Sequence, residues 1–205
     1  MARERLKSPR ARLFVALDLP DPVRDGIALW GERELTDPAL RAVRRESLHV
    51  TLCFLGYLPE KRIDEAARVL TSIEPRPVPI AFAPAPTAKP RSRPRFFALE
   101  LDSPATGELQ AELQERLVAA RLYEPEKRPF WPHLTVAKVR PERGTRRSRR
   151  VERQPGELPQ ALVHTFGSVR VALYRSNLRP EGAQYVSLAS LDLPPGPIGP
   201  GGEEG

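Results

Sequence analysis

Short stretches of apolar and polar residues in alternation are separated by stretches with an apolar residue every third or fourth position, so strands interleave with helices. Residues 12–19 (RLFVALDL) read as a first strand closed by Pro20, and Asp21 and Pro22 then supply a helix start. Val23, Ile27 and Trp30 space its buried stripe. Residues 43–45 predict a short strand, 48–55 a longer one stopped by Gly56, 61–73 a helix carrying Ile63, Ala66, Ala67 and Leu70 on one side, and 78–82 a strand. With four prolines and four cationic residues, 83–95 (APAPTAKPRSRPR) excludes a central strand or long helix and reads as a joint between lobes or a basic loop beside a ligand.

The order then restarts. Residues 96–101 predict a strand, 104–122 a helix with Leu109, Leu113, Leu117 and Val118 along one side, and 133–139 a strand led in by Phe130, Trp131 and Pro132. Strand, helix, strand thus recurs, with slight local identity outside the motifs described below, and predicts two similar lobes related by a pseudo-twofold. Residues 140–160 are strongly basic and poor in apolar residues: a solvated connection, or a cationic loop reaching for phosphates. Strand alternation resumes over 161–175, bent or broken at Gly167, and a last strand spans 185–191 after a turn at Pro180, Glu181 and Gly182. We expect a flexible basic start (1–10), one bilobal domain (11–192) and a flexible tail rich in Pro and Gly (193–205).

Composition narrows the class. The 205 residues carry 33 Lys and Arg against 26 Asp and Glu, a net charge of +7 that favours a polyanionic partner such as RNA. No apolar run approaches the roughly 18–20 residues that span a bilayer, and Asp18 and Asp21 interrupt the segment that would serve as a signal peptide, so no membrane role is expected and the default compartment is the cytoplasm. A single cysteine, Cys53, excludes an internal disulfide and multi-cysteine metal sites. A monomer is expected.

The candidate chemistry lies in a repeated tetrapeptide. His49-Val50-Thr51-Leu52 and His133-Leu134-Thr135-Val136 share the pattern His, apolar, Thr, apolar, and use two of the three histidines. In a strand each His and its Thr share one face. Two imidazoles, whose ordinary pKa lies near neutrality, hold one proton between them and suit acid and base on opposite sides of a phosphorus, with the hydroxyls donating to the non-bridging oxygens. Two other readings stay open on the residues alone. Each histidine is also compatible with a half-buried structural role, and strict alternation keeps Cys53 beside His49 and Thr51, where zinc is conceivable, though no acidic residue completes the set and the threonines go unexplained. His164 lacks the pattern, with Thr165 on the opposite face, and is read as a structural or surface residue.

The pair of motifs resembles the two-histidine phosphoesterase superfamily, and its surroundings resemble the RNA 2',3'-cyclic phosphodiesterases, also named 2'-5' RNA ligases. The resemblance runs through RLFVAL (12–17) with Pro20, RESLHVTL (45–52) with FLG (54–56), WPHLTVAK (131–138), where the family often has Arg in place of Lys138, and LYRSNL (173–178) with YVSL (185–188). It implies an α+β fold, bilobal with pseudo-twofold related lobes, antiparallel sheets lining a central cleft and helices outside. It implies hydrolysis of RNA 2',3'-cyclic phosphate ends to 2'-phosphomonoesters without metal or cofactor, and reversible 2'-5' ligation. Carried onto this chain, His133 activates water, His49 protonates the 3' oxygen, and Thr51 and Thr135 hold the phosphate. Weaker expectations are phosphate contacts by Lys138 or Arg140, base stacking on Phe14, Tyr57, Phe130 or Trp131, and RNA capture by Arg91, Arg93 and Arg95. The competing functions are a phosphodiesterase for small cyclic nucleotides or nucleotide-derived metabolites, and an RNA-end-binding module without catalysis.

Overall fold

The computed structural model describes residues 9–179 and 182–196. Most of the expected flexible start and tail, and Pro180 and Glu181 of the expected turn, lie outside these residues. The elements run β1 (Arg10–Asp18), α1 (Asp21–Glu34), β2 (Leu40–Ala42), β3 (His49–Pro59), α2 (Ile63–Thr71), β4 (Pro79–Phe82), β5 (Thr87–Lys89), β6 (Phe96–Asp102), α3 (Pro104–Ala119), β7 (His133–Val139), β8 (Phe166–Gly167), β9 (Arg170–Arg179) and β10 (Gly182–Asp192). The strands pair antiparallel in one curled sheet, β10-β9-β1-β3-β7-β6-β4-β8, with β2 on β7 and β5 on β6.

The lobes are not sequence halves. β1 and β3 form one with the C-terminal hairpin β9–β10, whereas β6 and β7 form the other with β4, β5 and β8. They join where β3 meets β7 at a single backbone pair, Val50 opposite Leu134. β3 then parts from β7, and β2 takes over that edge, pairing Leu40, Arg41 and Ala42 with Val139, Lys138 and Ala137. The parting of the motif strands opens the cleft. The strand expected over 43–45 therefore sits a few residues earlier, and a 3-10 turn, Arg45–Ser47, delivers the chain to His49.

One face of the sheet is dry. Leu13, Val15 and Leu17 of β1, Val50 and Leu52 of β3, Phe97 and Leu99 of β6 and Leu134 and Val136 of β7 are buried, in one core with Val23, Ile27 and Trp30 of α1, Ala66 and Leu70 of α2 and Leu109, Leu113 and Leu117 of α3. Pro22 in the first turn starts α1, and the Ser103 Oγ accepts the Thr106 N–H to cap α3. Val118, expected on the buried side of α3, is exposed. Gly56 does not stop β3: at φ +69° it pairs with Leu13 beside a bulge at Leu55, and the strand runs on to Pro59.

Candidate active site

From the pair Val50 and Leu134, one step either way sets His49 opposite Thr135 and Thr51 opposite His133. Because Val50 and Leu134 are buried, all four polar side chains point to the other face. Diagonal cross-strand neighbours stand roughly 7–8 Å apart, so the imidazoles flank a gap of phosphate size with a hydroxyl beside each.

Both motif strands then run through the same sequence of burial: half-buried His, buried apolar, half-buried Thr, two buried residues in succession, one exposed, one buried. The doubled buried step is a bulge, at Leu52 against β1 and at Val136 against β6. It rotates the residues that follow. Cys53 turns away from His49 and Thr51 into the core, where burial pushes its thiol up to about 12 and removes it from any ligand set with the histidines. Among the described residues, no cluster of three or more His, Cys, Asp or Glu is placed to hold a metal ion. The same rotation brings Phe54 and Lys138, each five positions after its histidine, out onto the site face.

Each imidazole is held alike. His49 Nδ1 lies 2.8 Å from the Ser47 carbonyl and His133 Nδ1 lies 2.8 Å from the Trp131 carbonyl. A carbonyl only accepts, so Nδ1 carries the hydrogen and Nε2 is left for the reacting proton. Phe14 stacks on His49 at 4.9 Å and Tyr185 meets its edge at 5.1 Å, while Trp131 and Phe96 stack on His133 at 4.1 and 5.9 Å. A carboxylate faces each from the adjacent strand: Asp18 opposite His49 and Glu100 opposite His133. Asp18, 2% exposed, accepts hydrogen bonds from Arg170 Nε at 2.5 Å and the Tyr174 hydroxyl at 2.8 Å. Burial lowers both imidazoles, His49 to about 4, and the carbonyls and carboxylates oppose this without reversing it. The expectation of one shared proton at neutrality therefore gives way, in the protein alone, to two neutral rings.

Asp18 and Glu100 escaped the sequence reading, although a signal was present. FVALDL (14–19) and FFALEL (96–101) match at Phe, Ala and both Leu positions, so the repeat extends beyond the tetrapeptides. The structure puts Phe14 and Phe96, Ala16 and Ala98, and Asp18 and Glu100 in equivalent registers beside the two motifs.

The weaker candidates divide. Phe14 is 3% exposed and packs behind His49, so no nucleobase can stack on it. Trp131 has His133 on one side and the Lys89 ammonium 4.6 Å from its ring centroid. Phe130 packs against the core. Tyr57 is 55% exposed, beside a cavity of about 380 Å3 that also touches Arg12. Phe54 is exposed, with the Arg12 guanidinium 4.7 Å from its ring centroid. Lys138 is exposed on the site face, and Arg140 Nε donates to the Leu40 carbonyl at 3.1 Å. Arg91 and Arg95 are exposed on the loop and at its end. Arg93, expected to reach RNA, is instead tied down, with its guanidinium 2.7 Å from Glu142 and donating to the Ser148 carbonyl. His164 is exposed.

Comparison with known proteins places residues 19–174 in a match to the family described as the 2'-5' RNA ligase superfamily. An RNA 2',3'-cyclic phosphodiesterase of Methanothermobacter thermautotrophicus is 30% identical over 90% of this chain and 100% of its own. That of Methanocaldococcus jannaschii is 26% identical over 85% of this chain and 96% of its own. Among solved structures, Escherichia coli LigT in complex with 3'-AMP superposes with a TM-score of 0.71 at 24% identity, covering 90% of this chain and 99% of that one. A Thermus thermophilus protein gives 0.72 at 24% identity, over 89% and 97%.

Proposed function

This chain belongs to the 2'-5' RNA ligase superfamily, within its RNA 2',3'-cyclic phosphodiesterase family, and from that premise we propose that it hydrolyses 2',3'-cyclic phosphate ends of RNA to 2'-phosphomonoesters. The observation that carries the proposal is the register at Val50 and Leu134, which sets two imidazoles diagonally on one face, each opposite the other's threonine. Hydrolysis with inversion at phosphorus needs a base on the entering side and an acid on the leaving side.

In this reading the threonine hydroxyls donate to the non-bridging oxygens. His133 Nε2 takes a proton from water as the water oxygen bonds to phosphorus. The bond to the 3' oxygen breaks, and His49 Nε2–H protonates that oxygen, leaving the phosphate on the 2' oxygen. The bound diester carries one negative charge, which favours an imidazolium beside it and restores to His49 the proton that burial withholds. With a 5'-hydroxyl in place of water, the same displacement of the 3' oxygen would form a 2'-5' linkage. Phe54 and Tyr57 are the exposed rings on which a terminal base can stack.

The test is product analysis after incubating an RNA bearing a 2',3'-cyclic phosphate with the protein in excess chelator. A 2'-phosphate is expected. A 3'-phosphate would place the leaving oxygen wrongly, and unimpaired turnover by His49→Ala or His133→Ala would remove the mechanism.

A further inference from the structure

Like charges placed directly opposite in a sheet are costly, yet β2 and β7 keep such a pair in Arg41 and Lys138. Partial desolvation between the strands, and then Arg41 and Arg12, hold the Lys138 ammonium below its ordinary pKa. Among the described residues no carboxylate forms an ion pair with either side chain. Two cavities meet at this pair. One, of about 270 Å3, runs from Arg41 and Lys138 to Ser47, whose carbonyl holds His49, and to Tyr185 at the His49 ring edge. The other, of about 290 Å3, continues away from the histidines between Arg41, Lys138, Arg140 and Arg149.

The outer wall of this second cavity is built rather than loose. The Arg149 N–H donates to the Arg140 carbonyl at 2.9 Å, and Arg93 grips the Ser148 carbonyl. Asp37, 6% exposed, accepts the N–H groups of Glu152 and Arg153, each at 2.8 Å. Trp30 Nε1 donates to the Glu157 carbonyl at 3.0 Å. These anchors take hold of backbone, so the basic segment is fixed while Arg146 and Arg147 stay exposed. The loop is thereby more than a solvated connection.

A cyclic phosphate closes the 3' end of a strand, so every further nucleotide lies on the 5' side of the terminal ribose. We infer that Arg41, Lys138, Arg140 and Arg149 form a track for the 5'-ward phosphates of an RNA strand whose end lies between the histidines, and that the substrate is an oligonucleotide end rather than a free cyclic mononucleotide. The inference rests on the hydrolytic reading above. Guanidinium forks match phosphate oxygens, so the track binds any sequence.

The experiment compares kcat/KM for adenosine 2',3'-cyclic phosphate and for a short RNA ending in the same group, as salt is raised, in the wild type and in Arg140→Ala/Arg149→Ala. The RNA is expected to be the better substrate by about tenfold or more, with a log–log salt slope of about −2 from three phosphates at about −0.7 each. The double variant should lose about tenfold on RNA and flatten the slope by about 1.4. On the mononucleotide, which has no phosphate to reach these arginines, it should match the wild type. Arg149→Ala alone, which removes only a 3.3 Å bond to the Pro141 carbonyl from the fold, should give half the change in slope. Equal kcat/KM for both substrates, or an unchanged RNA slope in both variants, overturns the track. Anisotropy of the labelled RNA, in a His133→Ala background with and without the arginine substitutions, separates the two readings. If neither substrate turns over but the arginines still govern binding, the hydrolytic reading falls and the track stands. If binding ignores them, the track falls.

Discussion

His49 and His133 are each fixed by a carbonyl, walled by aromatic rings and faced by a carboxylate, so removal of either should cost more than the side chain's own contacts suggest. Positioned acid or base groups contribute about 10²- to 10⁴-fold, and a loss in that range is expected in kcat for His49→Ala and for His133→Ala, with a smaller loss for Thr51→Val or Thr135→Val, which carry no proton. The pH dependence follows from burial. A bell in kcat/KM reports the free protein's acid and base, and with His49 at about 4 and His133 below 6.5 its centre lies on the acid side of 6.5. A bound anion raises both, so the bell in kcat should sit at higher pH, and a kcat/KM optimum above neutrality would contradict burial as the controlling effect. Stability responds with a definite sign. The folded pKa lies below the unfolded value of 6.5, so the unfolded chain binds more protons between 6.5 and about 4, and stability is full above that window and lost as pH falls through it. Denaturant unfolding should show a weaker acid dependence in His49→Gln, by less than the full shift implies because the ring is partly exposed. These residues were legible because two histidines recur in one short pattern; Asp18 and Glu100 were passed over because one carboxylate in an apolar strand reads as an end of burial.

At the scale of the element, alternation located the motif strands but not their bulges. A bulge adds one residue with no required type, so nothing in HVTLCF or HLTVAK announces that Cys53 turns inward while Phe54 and Lys138 turn out. Gly56 marks a second bulge that composition reads as a stop. Because its φ is +69° and nothing lies within 4 Å of an added Cβ, Gly56→Ala meets only backbone strain, and a loss of about 1–2 kcal/mol is expected in chemical denaturation. Gly107 lies inside α3 in open space with ordinary helical backbone. Gly107→Ala should therefore stabilise by about 0.5–1 kcal/mol, and the opposite signs of the two substitutions test whether conformation, not space, decides at each glycine.

At the scale of the whole molecule, the basic segment is held to the loop between α1 and β2 by buried Asp37, whose carboxyl sits below its usual range because the Arg153, Ala39 and Glu152 N–H groups bond its charged form. Asp37→Ala leaves those donors unpaired, at about 1–3 kcal/mol each if they stay buried. Limited trypsin digestion should then cut within 143–153 sooner than in the wild type, while turnover of a cyclic mononucleotide persists; equal protection in both proteins would show the segment to be held elsewhere. The sequence by itself determined most of the strands and helices, that two His and Thr pairs share a strand face, and a net positive charge that favours a polyanionic partner, because periodicity and charge are local properties of the chain. Only the tertiary structure decided that the C-terminal hairpin completes the first lobe, that the motif strands touch at one residue pair, and that Arg41 faces Lys138. Those are pairings between segments about 80 to 150 residues apart, chosen by which edges and apolar faces remain to be covered once the whole sheet forms.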